Sequence, residues 1–356
     1  MRILYGVVGE GMGHAMRSRV ILEHLFEQGH DVVIMASGRA VEFLNRHFAE
    51  RGQVQRIHGM HIVYDDNRVK RAATLVQNVV RGAAALPKQI AAYFELINGF
   101  DAEVVISDFE SWTYYYAKSR GLPILSIDNM QLMNRCTVDA EVLDGHRTEF
   151  ELTKAFIKGK LPFCDHYLVT TFFQLPVRKP DTTLFPPILR PEIVAARAPT
   201  GEHLLVYQTA EGYDSLLATL QDIGIECRIY GMRRGLKEEL VQGNLRFRPF
   251  SEAGFIADLA SARGVIAGGG FTLMGEAVYL RRPMLAVPVR GQFEQILNAR
   301  YLQKLGYGRY AQSLADPATL YQFVAGLPEH EAKLASYTQD GNNELLRFLD
   351  DKLASL

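Results

Sequence analysis

Short apolar runs alternate with longer segments of helical periodicity from one end of the chain to the other. In the first half, runs at residues 3–8, 31–36, 54–57, 104–107, 124–127 and 166–170 predict strands, and 15–28 and 74–98 predict helices. Leu22, Leu25 and Phe26 mark the apolar stripe of the first helix. Val104-Val105-Ile106 is apolar at consecutive positions, as a strand buried on both faces of a parallel sheet requires. Between 175 and 199 the periodicity stops, and Pro176, Pro180, Pro186, Pro187, Pro191 and Pro199 crowd together. That density of residues without a backbone donor predicts a connector. A second series follows, with strands at 204–208, 226–230, 245–247, 264–267 and 284–287 and helices at 213–222, 253–262, 273–280 and 292–305. The pattern predicts an α/β protein with two parallel-sheet domains, 1–186 and 187–340. Leu345, Leu346, Leu349 and Leu353 give 341–356 the stripe of an amphipathic helix that needs a surface to cover and can cross back to the first domain.

Composition agrees with two domains. The chain has 356 residues, beyond the ~250–300 at which one core usually stops growing. A formal net charge of -1 gives no reason to expect a nucleic-acid partner. Cys136, Cys164 and Cys227 are odd in number and lack C-x-x-C spacing, which favours reduced thiols, a cytoplasmic setting and no structural zinc. The first apolar run is interrupted by Gly6 and Gly9 and does not read as a secretory leader. No stretch approaches the ~20 apolar residues that span a bilayer. Peripheral membrane contact stays open because 67–99 carries Arg68, Lys70, Arg71, Arg81 and Lys88 among apolar residues, although a core-facing helix with a solvated face is the plainer account.

Candidate chemistry gathers at two glycine-rich turns. Gly9-Glu10-Gly11-Met12-Gly13-His14 follows the first strand, and Gly268-Gly269-Gly270-Phe271-Thr272 follows Val265-Ile266-Ala267. Strand, glycine turn and helix together aim unpaired N–H groups and a helix dipole at an anion. Two such turns suggest one ligand held between the halves. The first turn is not a dinucleotide fingerprint: its sixth position is His14, and the second strand ends in Ala36-Ser37 without the ribose acid. It delivers His14 to a first helical turn, where an imidazole can be a general base or merely satisfy a helix end. Asp108 lies just past a buried strand, at the sheet edge where ligands bind. It can orient His14, as in a Ser-His-Asp triad, or cap a helix over 111–119, and Glu110 is one position further out. Arg17 and Arg19 beside His14 can steer a phosphate or sit in solvent.

Gly268 to Glu276, then Pro283-Met284-Leu285-Ala286-Val287-Pro288, then Gln292 to Asn298, resembles the donor-binding signature of GT-B glycosyltransferases. It is similar both to the plant-type UDP-glycosyltransferases and to the bacterial lipid-intermediate N-acetylglucosaminyltransferase. The first turn, and the strand ending in Asp108 with Trp112 behind it, match those families in position. The likeness is strongest over 248–298 and weakest over 60–99. It implies that Glu276 holds the ribose hydroxyls, that Gly268, Gly269, Gly270, Phe271 and Thr272 cradle the diphosphate, that Glu294 and Gln295 bind the donor sugar, and that Asn298 contacts the sugar or the diphosphate. Gly11, Gly13 and Phe250 complete the nucleotide-sugar contacts, and His14 and Asp108 are base and partner. Glu276 and Glu294 also fit ordinary first-turn acids. Two positions depart from the plant-type signature: Gly268 stands where a phosphate-binding His is expected, and Phe247 is the best substitute for a base-stacking Trp.

The resemblance implies an inverting GT-B enzyme without cofactor, transferring sugar from a nucleotide donor, UDP-linked by likeness, to a small-molecule, glycan or lipid-linked acceptor. No D-x-D pair is present, and Asp65-Asp66 and Asp350-Asp351 are adjacent, so no metal is expected. Two rival readings are a nucleotide-sugar 2-epimerase, for which Glu110 or Glu294 would be essential, and a nucleotide-sugar sensor without chemistry.

Overall fold

The computed structural model describes residues 1–9, 11–57, 95, 97, 99–196, 198–208, 214–233 and 235–356. The basic segment 67–99 and the predicted helix 74–98 lie outside the described residues except at Glu95, Ile97 and Gly99. Two compact units emerge. One comprises Met1–Val138, His146–Pro186 and Asn343–Leu356, the other Asp139–Gly145 and Pro187–Asn342.

Among the described residues the first unit carries a seven-stranded sheet of β1 (Arg2–Val7), β2 (Asp31–Ala36), β3 (Gln53–Arg56), β4 (Val104–Asp108), β5 (Ile124–Asp128), β6 (His166–Thr170) and β7 (Thr182–Phe185). The order is β3-β2-β1-β4-β5-β6-β7 and every pairing is parallel. Sequence order reverses between β1 and β4, the switch point at which open α/β sheets bind ligands beyond their carboxyl ends. Val7 pairs with Asp108 there, so the turn after β1 and the end of β4 share that edge.

The second unit repeats this wiring. Its strands are β8 (Leu204–Tyr207), β9 (Cys227–Tyr230), β10 (Leu240–Gln242), β11 (Leu245–Phe247), β12 (Gly264–Ala267), β13 (Met284–Ala286) and β14 (Gly308–Tyr310), in the order β10-β11-β9-β8-β12-β13-β14. Of the strand pairs described in this sheet, β10 with β11 is antiparallel and the others are parallel. The switch point falls between β8 and β12, and the Gly268 turn leaves β12. Leu204, Val206, Ile229, Ile266 and Leu285 form the buried sheet face, against which Leu216, Leu220, Leu320 and Phe323 pack from helices.

The connector is more structured than its prolines predict. Thr182–Phe185 pairs with β6 as an edge strand between Pro180 and Pro186, where a missing N–H is tolerated. Pro191 starts the short helix Pro191–Ala195, in the first turn, where the N–H has no intrahelical acceptor. Three-residue β10 and β14 were too short to give a period. Residues 139–145 interrupt the first unit: the Asp139 N–H donates to the Tyr301 hydroxyl at 3.0 Å, and Arg300 donates to the Val142 carbonyl at 2.8 Å. The C-terminal helix Asn343–Ala354 buries Leu345, Leu349 and Leu353. It belongs to the first unit, where Phe348 lies 5.2 Å from the Phe185 ring and Asp350 pairs with His24 Nε2 at 2.8 Å.

Candidate active site

His14 stands in the first turn of the helix Met12–Glu27, which begins after Gly11 in the left-handed region (φ 79°). Gly11 is exposed and Gly13 half-buried. Arg17 and Ser18, three and four residues on, share the face of His14, because 3.6 residues complete a turn. All three meet Asp108. His14 Nδ1 lies 2.8 Å from Asp108 Oδ1, Arg17 Nε donates to Oδ2 at 2.9 Å, Arg17 Nη2 donates to Oδ1, and the Ser18 hydroxyl donates to Oδ2 at 2.9 Å. Arg17 also donates from Nη1 to Asn129 Oδ1 at 2.6 Å. Arg17 and Arg19 are therefore not solvent groups: Arg17 is locked on Asp108, and Arg19 pairs with Glu23 at 2.7 Å.

Asp108 is wholly buried, yet the charges of Arg17 and His14 outweigh that burial and hold its carboxyl well below the usual carboxylate range. It is an ionised acceptor. The carboxylate can only accept, so a hydrogen bond across the contact with His14 requires the Nδ1–H tautomer, which carries the lone pair on Nε2. Burial lowers the His14 pKa, the Arg17 cation lowers it further, and Asp108 opposes both.

Asp108 is not the helix cap. Glu110 caps Ser111–Arg120, accepting from the Trp112 N–H at 2.7 Å and the Thr113 N–H at 2.8 Å. The distortion that permits this lies at Phe109, which adopts φ 55°. Glu110 is buried and holds that cap.

In the second unit, Gly268, Gly269 and Gly270 lead into the helix Phe271–Tyr279, which has neither a side-chain cap nor an acid in its first turn. The turn is held from behind by the helix Phe293–Lys304. Gln295 Oε1 accepts from the Gly269 N–H at 3.2 Å and the Val289 N–H at 3.1 Å, and Asn298 Nδ2 donates to the Gly269 carbonyl at 3.3 Å and to Glu294 Oε1 at 2.8 Å. Gln295, expected on the donor sugar, and Asn298, expected on the sugar or the diphosphate, thus fasten the turn. A Cβ at Gly269 would lie 2.4 Å from the Gln295 carbonyl oxygen, so this backbone approach requires glycine.

Glu276, on the same helix as Thr272, is buried against Arg190, which donates from Nε at 2.7 Å and from Nη2 at 2.9 Å. Arg190 reaches Glu252 as well, at 2.6 Å. Burial raises the Glu276 pKa, and the guanidinium counters it. Sequence reading missed Arg190, which lies in the connector with no periodicity to mark it. Phe247 is buried beneath the Arg233 guanidinium and cannot stack on a base, whereas Phe250 is 71% exposed. No group of three His, Cys, Asp or Glu side chains suited to a metal ion occurs among the described residues, and no described helix is long and apolar enough to cross a membrane. The three cysteines are buried and free.

Two doubly wound units, each with a glycine turn at its switch point, define the GT-B class of glycosyltransferase. The sequence profile of glycosyl transferase family 1 matches residues 1–328, and the chain belongs to that family. It is 24% identical over 367 residues to an uncharacterised glycosyltransferase of Methanosarcina acetivorans, covering 93% of this chain and 91% of that one. Its fold is similar to Phytolacca americana UGT2 complexed with UDP-2fluoro-glucose and pterostilbene, at TM-score 0.67 and 14% identity, covering 100% of this chain and 99% of that one. It is likewise similar to the spinosyn rhamnosyltransferase SpnG complexed with thymidine diphosphate, at TM-score 0.66 and 17% identity, covering 98% and 100%. The protein is a glycosyltransferase enzyme.

Proposed function

We propose that the chain is an inverting, metal-independent glycosyltransferase that moves a sugar from a UDP-linked donor to an acceptor hydroxyl. The observation that carries this reading is the 2.8 Å contact of His14 Nδ1 with a buried, ionised Asp108, which leaves Nε2 as the proton acceptor. In the reaction, Nε2 takes the proton of the acceptor hydroxyl as its oxygen attacks the anomeric carbon. The bond from that carbon to the diphosphate oxygen breaks on the opposite face, which inverts the centre. The first unit supplies the base. The second supplies the anion cradle, in which N–H groups at the uncapped start of Phe271–Tyr279 absorb the leaving charge. A single displacement of this kind needs no protein nucleophile.

UDP is chosen over other nucleotides on the likeness of the donor signature, and the UDP-sugar in one fold neighbour is consistent with it. The thymidine diphosphate of the other makes the dTDP-sugar the necessary comparison. The acceptor is a small molecule, a glycan or a lipid-linked hydroxyl. We place the enzyme in the cytoplasm, with peripheral membrane contact where the acceptor is lipid-linked. The test is a panel of UDP- and dTDP-sugars assayed for nucleotide release with and without hydroxyl acceptors, with product anomers read by NMR. Acceptor-dependent release from UDP-sugars with inverted anomers is expected. Release without acceptor sinks the transfer reading, preference for dTDP-sugars sinks the donor assignment, and retained anomers sink the single displacement.

A further inference from the structure

The Asp108 carboxylate serves two cations when His14 is protonated, but a carboxylate that strengthens a histidine base must keep charge to spare. Arg17 spans both Asp108 oxygens, and its remaining arm is held by Asn129 at 2.6 Å. It is 4% exposed, so little solvent screens it. Its Nη2 also stands 2.6 Å from His14 Nδ1. Nδ1 can accept from Arg17 there or donate to Asp108; the carboxylate can only accept, which favours the second, and the guanidinium beside the ring opposes a positive charge on it.

We propose that Arg17 is a positioning residue for His14: it clamps Asp108 and cancels its charge, so that the carboxylate fixes the Nδ1–H tautomer while the guanidinium disfavours the imidazolium. The arrangement separates two effects that a lone His–Asp pair combines. Asp108 orients the ring, and Arg17 keeps it deprotonated and ready at a pH where a lone pair would hold a proton.

Among the described residues, three further titratable groups lie near this cluster. Tyr5, on β1 beneath the site, has its hydroxyl pKa raised by burial and stays neutral. Asp128, at the end of β5, is buried with its own pKa pushed up to about 6 and supplies negative charge only above that. Lys160, at the end of the helix Arg147–Lys160, lies 4.0 Å from the Phe109 ring centroid and adds a second, weaker push against protonation. Arg17 is the cation in contact.

The inference concerns the group assigned as the base above, but its test does not need turnover. His14 is assigned in 15N-labelled protein by its loss in His14→Gln, and its tautomer and titration are followed by NMR in wild type, Arg17→Gln and Arg17→Lys. In wild type the neutral ring should carry its proton on Nδ1 and titrate below an ordinary histidine. In Arg17→Gln its proton affinity should rise about tenfold or more, the effect of removing an adjacent like charge, while Arg17→Lys should move it far less. The acid limb of kcat/KM should follow the same shift. An unchanged titration in Arg17→Gln overturns the proposal. So does a wild-type ring that is protonated on Nε2 or titrates at or above the ordinary value, and those two observations need no variant of Arg17 to fold. Undiminished turnover in His14→Ala would overturn the base assignment alone, leaving the coupling of Arg17 to His14 to stand or fall by the titration.

Discussion

Both carboxylate oxygens of Glu276 accept from Arg190, at 2.7 Å and 2.9 Å, although the likeness to GT-B donor sites gives Glu276 to a ribose diol. The two roles are compatible, because each carboxylate oxygen keeps a second lone pair after one N–H. They change the choice of variant. Glu276→Ala strands a buried guanidinium, whereas Glu276→Gln keeps the shape and one acceptor. Glu276→Gln should lower nucleoside diphosphate affinity by roughly tenfold to a hundredfold in calorimetry. Wild type offered a 2′-deoxyribose donor should lose a similar amount, and the two changes together little more, since coupled losses do not add. Full additivity would assign Glu276 to Arg190 alone.

The catalytic pair predicts a different split. His14→Ala should lower turnover by ~10²–10⁴ with donor affinity little changed, because the base acts on the acceptor. Asp108→Asn should also be slow, since it removes the anion on which His14, Arg17 and Ser18 converge. Steady-state kinetics beside donor calorimetry separates the effects. Wild-type turnover in folded His14→Ala would remove His14 from the chemistry.

Apolar runs were enough to read the inner strands of both sheets, because a strand buried on two faces leaves a continuous apolar signature, whereas β7, β10 and β14 left none. The glycine turns were legible for a similar reason: few residues other than glycine fit there, as Gly11 and Gly269 illustrate. Arg190 was not legible. Its partner Glu276 is 86 positions away, and no local pattern marks so distant a pair. Arg17 was visible as a neighbour of His14, but an arginine on a helix is ordinarily exposed, and only the register of β1 against β4 brings Asp108 to it. The cap that the sequence allowed Asp108 as its alternative role falls to Glu110, because φ 55° at Phe109 re-aims the chain between them.

Gly269 and Gly270 form a matched pair for testing the cradle. A Cβ at 269 would press on the Gln295 backbone at 2.4 Å, while one at 270 would meet nothing within 4 Å, at an ordinary φ of -64°. Gly269→Ala should therefore destabilise by roughly 1–3 kcal/mol and weaken donor binding, whereas Gly270→Ala should lie within about 0.5 kcal/mol of wild type. Melting temperatures check the first statement and donor titration the second. If Gly269→Ala binds donor normally, the turn is not the diphosphate site.

Chelation tests the leaving-group mechanism. A cradle of backbone N–H groups at a helix start needs no cation to stabilise a departing diphosphate, so activity should survive excess EDTA. Complete loss on chelation, restored by Mn²⁺, would show that charge on the leaving group is neutralised by a metal instead.

Asp128 gives the first unit a pH-dependent stability. Burial pushes its carboxyl up from 3.8 to about 6, against the Gln131 N–H, the Arg17 charge and the Ser126 hydroxyl. The folded state thus binds this proton more tightly than the unfolded chain does. The stabilisation is complete below about 4 and is lost as pH rises through about 6, where an unfavourable buried charge replaces it. At about 1.4 kcal/mol per pKa unit the difference is about 3 kcal/mol. Asp128→Asn keeps an acceptor for the Gln131 N–H and cannot ionise, so its stability relative to wild type should grow by about that amount between pH 4 and pH 7. Trp112, the one tryptophan of the chain, is buried in this unit, and its fluorescence in urea reports this unit's unfolding. A constant difference between the two proteins across that range would mean that Asp128 is ionised throughout, held so by Arg17 more strongly than burial opposes it.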